Sequence, residues 1–150
     1  MPIEKEIPKS YLRNSSHKTL VNILYTSNWI LERLKEFLAD EDITHQQYNI
    51  LRILNNSETP LSTLKIREQM LDKMSDTSRI VERLLKKELV NKRVCATDKR
   101  LVDVTISEKG LTLLHRLEKK TDELDSITSH LNTEDIDIVN QLLDKIREKE

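Results

Sequence analysis

Glycine is nearly missing from these 150 residues, with Gly110 the one instance. A loop that cradles phosphates and a dinucleotide fingerprint both need several glycines for close backbone approach, which excludes nucleotide-dependent chemistry. Cysteine is as scarce, and Cys95 alone cannot close an intrachain disulfide. The four histidines, His17, His45, His115 and His130, show no short ligand spacing, so neither a metal site nor a cofactor is expected. No apolar run approaches the roughly 20 residues that a membrane-spanning helix requires. The opening MPIEKEIPKS carries acids and two prolines where a secretory signal has its apolar stretch, and a cytoplasmic protein is expected. A nucleophile with a positioned base is missing too, since His115 and Glu118 have an ordinary helix-surface spacing. No enzymatic activity is expected.

What the chain does have is charge. Apolar residues make up 37% and charged residues 34%, with the signs interspersed, as in a helical protein that fills one domain and at most an appended oligomerisation element. The net charge is −1, but it is unevenly spread. Between Arg79 and Arg100 eight basic residues (Arg79, Arg83, Lys86, Lys87, Lys92, Arg93, Lys99 and Arg100) face three acidic ones, a local charge of +5. From Leu111 onward six bases meet ten acids, or −4. A basic middle beside an acidic end suggests a nucleic-acid face.

The hydrophobic periodicity gives the order of elements. Leu20, Ile23, Leu24, Ile30, Leu31, Leu34, Phe37 and Leu38 recur at helical steps and predict one long amphipathic helix over about 12–38. Thr44 and Gln47 form a capping box that opens a second helix, ending near Asn55 and Asn56. After Pro60, Leu64, Ile66 and Met70 mark a short third helix. Ser75 or Asp76 caps a fourth. On a helical wheel Thr77, Ile80, Val81, Leu84 and Leu85 share one side, while Arg79, Arg83, Lys86 and Lys87 occupy the other. Such a helix can pack on its neighbours and present cations to a groove.

The period then changes to two. Val94 and Ala96 precede a T-D-K-R turn, and Val102, Val104 and Ile106 follow it, which predicts a hairpin with Lys99 and Arg100 at its tip. Ser107 caps a fifth helix, along which Leu114, Leu117, Thr121, Leu124, Thr128 and Leu131 trace a seam suited to a partner. Thr133, Glu134 and Asp135 open a last helix carrying Ile136, Val139, Leu142, Leu143 and Ile146. The expected fold is mostly α with a small β-hairpin wing: a winged helix-turn-helix flanked by long dimerisation helices. The divisions are a tail over 1–11, an N-terminal dimerisation helix over 12–40, a winged core over 41–107 and C-terminal dimerisation helices over 108–150. A homodimer is expected because apolar seams of this length are rare on monomers.

Two runs resemble a known family. DKRLVDVTISEKG, Asp98 to Gly110, is similar to the wing signature of the MarR family. SRIVERLLKKELV, Ser78 to Val90, resembles the end of that family's recognition helix, and the capping-box helix sits where the family places its second helix. The resemblance spans nearly the whole chain and implies a homodimeric transcriptional regulator of the repressor type that binds a pseudo-palindromic duplex. By resemblance, Ser75, Thr77, Ser78 and Arg79 lie where the family touches base edges and phosphates. Arg100 takes the place of the arginine that enters the minor groove, and Asp98 orients Arg100 or braces the turn. The chemistry agrees, since a guanidinium can bond guanine through two parallel hydrogen bonds and lysines such as Lys86, Lys92 and Lys99 suit phosphates. Arg83 and Arg93 complete the cationic set.

Many relatives release DNA on binding a small aromatic compound, and Tyr25, Trp29 and Tyr48 are the aromatic residues placed where such an effector cleft could form. The redox cysteine of some relatives lies near the N-terminal helix, so Cys95 in the wing reads as a plain thiol. Glu88 stands where the family commonly has glycine, leaving open an ordinary or a strained backbone there. The competing reading is a winged-helix protein-interaction module without sequence-specific DNA binding. The cationic face of the fourth helix, with Lys99 and Arg100, distinguishes the two.

Overall fold

The computed structural model describes residues 1–94 and 102–148. The long first helix, α1, runs Ser15–Phe37 and starts where the Asn14 side chain accepts the His17 N–H at 2.9 Å. α2 (His45–Asn55) opens on the capping box: Thr44 Oγ1 accepts the Gln47 N–H at 3.2 Å and Gln47 Oε1 accepts the Thr44 N–H at 3.1 Å. A two-residue strand, β1 (Leu61–Ser62), leads into α3 (Thr63–Gln69), and α4 (Thr77–Lys86) follows, capped by Asp76 rather than Ser75. β2 (Val90–Val94) and β3 (Val102–Ile106) pair antiparallel with Val90 opposite Ile106. β1 joins the other edge of β3, with Leu61 opposite Val104. Two residues are too few to show an alternation, which is why the third strand escapes a reading of periodicity.

The core lies between α2, α3, α4, the sheet and α5 (Glu108–Glu118), where Leu38, Ile50, Leu51, Ile66, Val81, Leu84 and Val104 are fully buried. Ser107 caps α5, accepting the Gly110 N–H at 3.0 Å. Gly110 has no room for a side chain, because a Cβ there would sit 2.3 Å from the Leu89 carbonyl oxygen.

The predicted fifth-helix seam is corrected. Leu114 and Leu117 are 3% and 1% exposed, packed inside the winged core, and cannot face a partner. The helix also stops at Glu118, followed by the short α6 (Thr121–Asp125), a single 3-10 turn at Ser126–Thr128 and then α7 (Thr133–Arg147). Hydroxyls bond carbonyls at the breaks: Thr121, Ser126 and Thr128 donate to Glu118, Glu123 and Asp125 at 2.9, 2.7 and 3.2 Å. Continuous exposed apolar faces lie instead on α1 (Leu20, Leu24, Ile30) and α7 (Ile138, Val139, Leu142, Ile146), and of the predicted seam Leu131 remains exposed.

Charged contacts fasten the corner after α1 to the core. Arg116 grips Glu41 through Nε at 2.9 Å and Nη2 at 2.5 Å, and Lys120 reaches Asp40 at 3.1 Å. The Arg116 hydrogen bond holds the Glu41 carboxyl below the usual glutamate range. Asp42, in the left-handed region at φ 50°, accepts Lys87 Nζ on its carboxylate at 2.8 Å and again on its carbonyl.

Candidate nucleic-acid interface

α4 is held at both ends. At its start Asp76 accepts the Arg79 N–H at 3.1 Å. At its finish the Leu89 N–H bonds the Leu84 carbonyl at 3.0 Å and the Glu88 N–H bonds the Leu85 carbonyl at 2.9 Å, the two bonds of a Schellman motif. That motif requires a left-handed residue, and Glu88 supplies it at φ 60°. The strained alternative left open by the sequence is thus the observed one. The Glu88 carbonyl accepts Ser107 Oγ at 2.7 Å and its carboxylate pairs with Lys109 at 3.2 Å, so its charge is matched on the α5 side.

Between these anchors Arg79, Arg83 and Lys86 are exposed along one face, opposite buried Val81 and Leu84, and Ser78 is exposed on the flank. Thr77 corrects the expected contact set. It is 4% exposed and its Oγ1 is buried without a partner, because the first helical position lies on the inward side of the wheel with Val81 and Leu84. Ser75, half-buried just before α4, donates its hydroxyl to the Asp72 carbonyl at 2.9 Å.

The basic window is less open than its count suggests. Lys92 on β2 is paired with Glu82 of α4 at 2.5 Å, and Lys87 is tied to Asp42. Among the described residues Arg79, Arg83, Lys86 and Arg93 form no ion pair. Cys95, Asp98, Lys99 and Arg100 lie outside the described residues. Sequence reasoning missed Arg67, exposed on α3, which with Thr63 and Ser78 lines a notch of about 410 Å3 at the start of α4. An arginine on a short helix carries no periodic signal, and only the turn between α3 and α4 brings it there.

The three aromatic residues do not converge. Tyr48 is buried and borders a cavity of about 630 Å3 between α1, α2 and α6, with Ile30, Leu31, Leu34, His45 and Leu124. Tyr25 instead donates its hydroxyl to Glu6 at 3.1 Å, and Trp29 lies under the Arg33 guanidinium at 5.6 Å, both away from that lining. Nearer α4, Arg83 and Lys86 border a cavity of about 770 Å3 whose other wall includes Leu31, Lys35 and Ile43. No helix among the described residues is long and apolar enough to cross a membrane.

Comparison with known proteins places this geometry. The sequence profile of the MarR family matches residues 43–102. The HTH-type transcriptional regulator TcaR of Staphylococcus aureus is 32% identical over 119 residues, covering 77% of this chain and 78% of its own. Two solved structures share the fold. One is an E. coli MarR mutant complexed with operator DNA (TM-score 0.74, 19% identity, 97% of this chain and 98% of that one). The other is Bordetella bronchiseptica BpsR, whose DNA binding is regulated by 6-hydroxynicotinic acid (TM-score 0.76, 18% identity, 93% and 97%).

Proposed function

The chain belongs to the MarR family of transcriptional regulators, and from that premise we propose that it is a cytoplasmic homodimeric repressor that binds a pseudo-palindromic operator and is released by a small aromatic effector. It acts by binding, with no catalytic step. One observation carries the reading: α4, clamped at both ends, turns Arg79, Arg83 and Lys86 outward as a row, flanked by exposed Ser78, that fits a major groove. Arg79 and Ser78 are the residues for base edges, while Arg83, Lys86 and Arg93 supply phosphate contacts and Lys92 stays paired with Glu82. Lys99 and Arg100 extend the contact into the neighbouring groove, with Asp98 orienting Arg100. The apolar faces of α1 and α7 support a twofold partner, which would set the two copies of α4 about 34 Å apart or near a multiple of that spacing. The cavity beside Tyr48 suits the effector, with an apolar wall for a ring and His45 for a polar substituent.

The test is selection of bound fragments from genomic DNA with the purified protein, followed by anisotropy on the recovered sequence across a salt series. A pseudo-palindromic consensus and an affinity that falls steeply with salt are expected. An affinity indifferent to salt, or fragments with no shared sequence, would overturn the proposal.

A further inference from the structure

Tyr48, Arg52 and Leu124, which border the 630 Å3 cavity, also border a smaller one, of about 290 Å3, between the C-terminal end of α2 and the α5–α6 junction. Its lining brings together opposite charges that do not meet. Arg52 stands on one side, its guanidinium laid over the Tyr48 ring at 5.8 Å, and Glu118 and Asp125 stand on the other two elements. None of the three forms an ion pair among the described residues. Their neighbours behave differently, for Arg116 and Lys120 on the same stretch of chain are both paired, with Glu41 and Asp40. Asn55 and Asn56 add the carbonyl end of α2, where the helix concentrates negative partial charge. The charged lining therefore offers one cation against two carboxylates and a helix C-terminus.

We propose that this cavity binds a basic α-amino acid. Its carboxylate meets the Arg52 fork, where two parallel hydrogen bonds can form. The α-ammonium and the side-chain cation meet Glu118 and Asp125, and the methylene chain lies along Tyr48 and Leu124. The charge count selects this class. A neutral amino acid leaves one carboxylate unmatched, and a diamine leaves Arg52 unmatched. Either omission forfeits a charge-assisted bond. The site goes beyond the DNA-binding reading and does not depend on it.

Isothermal titration of the full chain, free of DNA, with L-lysine, L-norleucine and cadaverine tests the proposal. L-lysine is expected to bind, and the other two at least roughly tenfold more weakly, each lacking one charge-assisted contact. Arg52→Gln should abolish the preference for L-lysine over cadaverine, and Glu118→Gln should weaken L-lysine about tenfold, with circular dichroism melting to show that both variants fold. No binding of L-lysine at millimolar concentration, equal binding of all three compounds, or folded variants that bind L-lysine as the parent does would each overturn it. Glu118→Gln leaves operator binding unchanged, so this proposal and the DNA-binding one fail separately.

Discussion

Glu88 offers the sharpest test of the backbone reasoning. Its φ of 60° belongs to the left-handed region, where a Cβ crowds the following carbonyl at a cost of roughly 1–2 kcal/mol that glycine escapes. Glycine returns part of that through a freer unfolded chain, roughly 0.5–1 kcal/mol. The Lys109 pair lost with the side chain is a surface pair, 60% and 81% exposed on its two sides, and offsets little. Glu88→Gly should therefore stabilise the fold by about 0.5–1 kcal/mol, while Glu88→Ala keeps the Cβ and gains nothing. Asn, which tolerates this region, should fall between them. Urea unfolding at one fixed protein concentration reads the effect, because the proposed dimer would make stability concentration-dependent. With a slope of roughly 1–3 kcal/mol per molar, the Gly and Ala midpoints should differ by about 0.5 M. A Gly variant no more stable than the Ala variant would show that the Schellman ending of α4 carries no strain.

Outcomes for five further variants are expected. Arg79→Ala should weaken operator binding by roughly 1–3 kcal/mol and relax the preference at one base pair, read by competition with single-site variants; an equal loss on all sequences would assign Arg79 to a phosphate. Glu82→Gln frees Lys92 from its partner 2.5 Å away and should steepen the slope of log affinity against log salt by about one unit, whereas an unchanged slope would mean Lys92 does not reach DNA. Leu142→Asp on the exposed face of α7 should give a folded monomer by light scattering, while Leu117→Ala, buried in the core, should lower stability by about 2–5 kcal/mol without changing the dimer mass at native concentrations. The lowered Glu41 pKa contributes stability that is complete above the ordinary glutamate range and is lost as pH falls through the depressed value. Acid unfolding of Glu41→Gln should accordingly be less steep with pH than that of the parent, and matching profiles would show that the Arg116 contact is not felt in solution.

The elements that sequence reading captured are those announced by local chemistry. The Thr44–Gln47 capping box, Ser107 before α5 and the two-sided wheel of α4 all reappear where the pattern places them. Failure came where a pattern has two physical causes. The spacing of Leu114 and Leu117 is the same for a helix packed on its own core as for one packed on a partner, and only the surroundings decide between them. Thr77 was assigned by its position in a motif although its angle on the wheel already turned it inward. The pairing of Lys87 with Asp42 and of Lys92 with Glu82 joins residues from different elements, so charge counting over a window could not reveal it. The MarR family assignment rests on neither kind of detail, which is why it survives these corrections.

The two-ended anchorage of α4 limits how this protein could be switched. With Asp76 capping one end and the Glu88 turn and the Lys87–Asp42 pair closing the other, both ends of the helix have their backbone groups engaged, which favours an intact helix over local unwinding. Control that leaves those bonds intact would act on geometry between rigid bodies, by tilting an intact reading head or, in the proposed dimer, altering its separation from the partner copy. Lys87 meets the corner that follows α1, so a swing of that long helix would bear on the end of α4 at this one exposed contact.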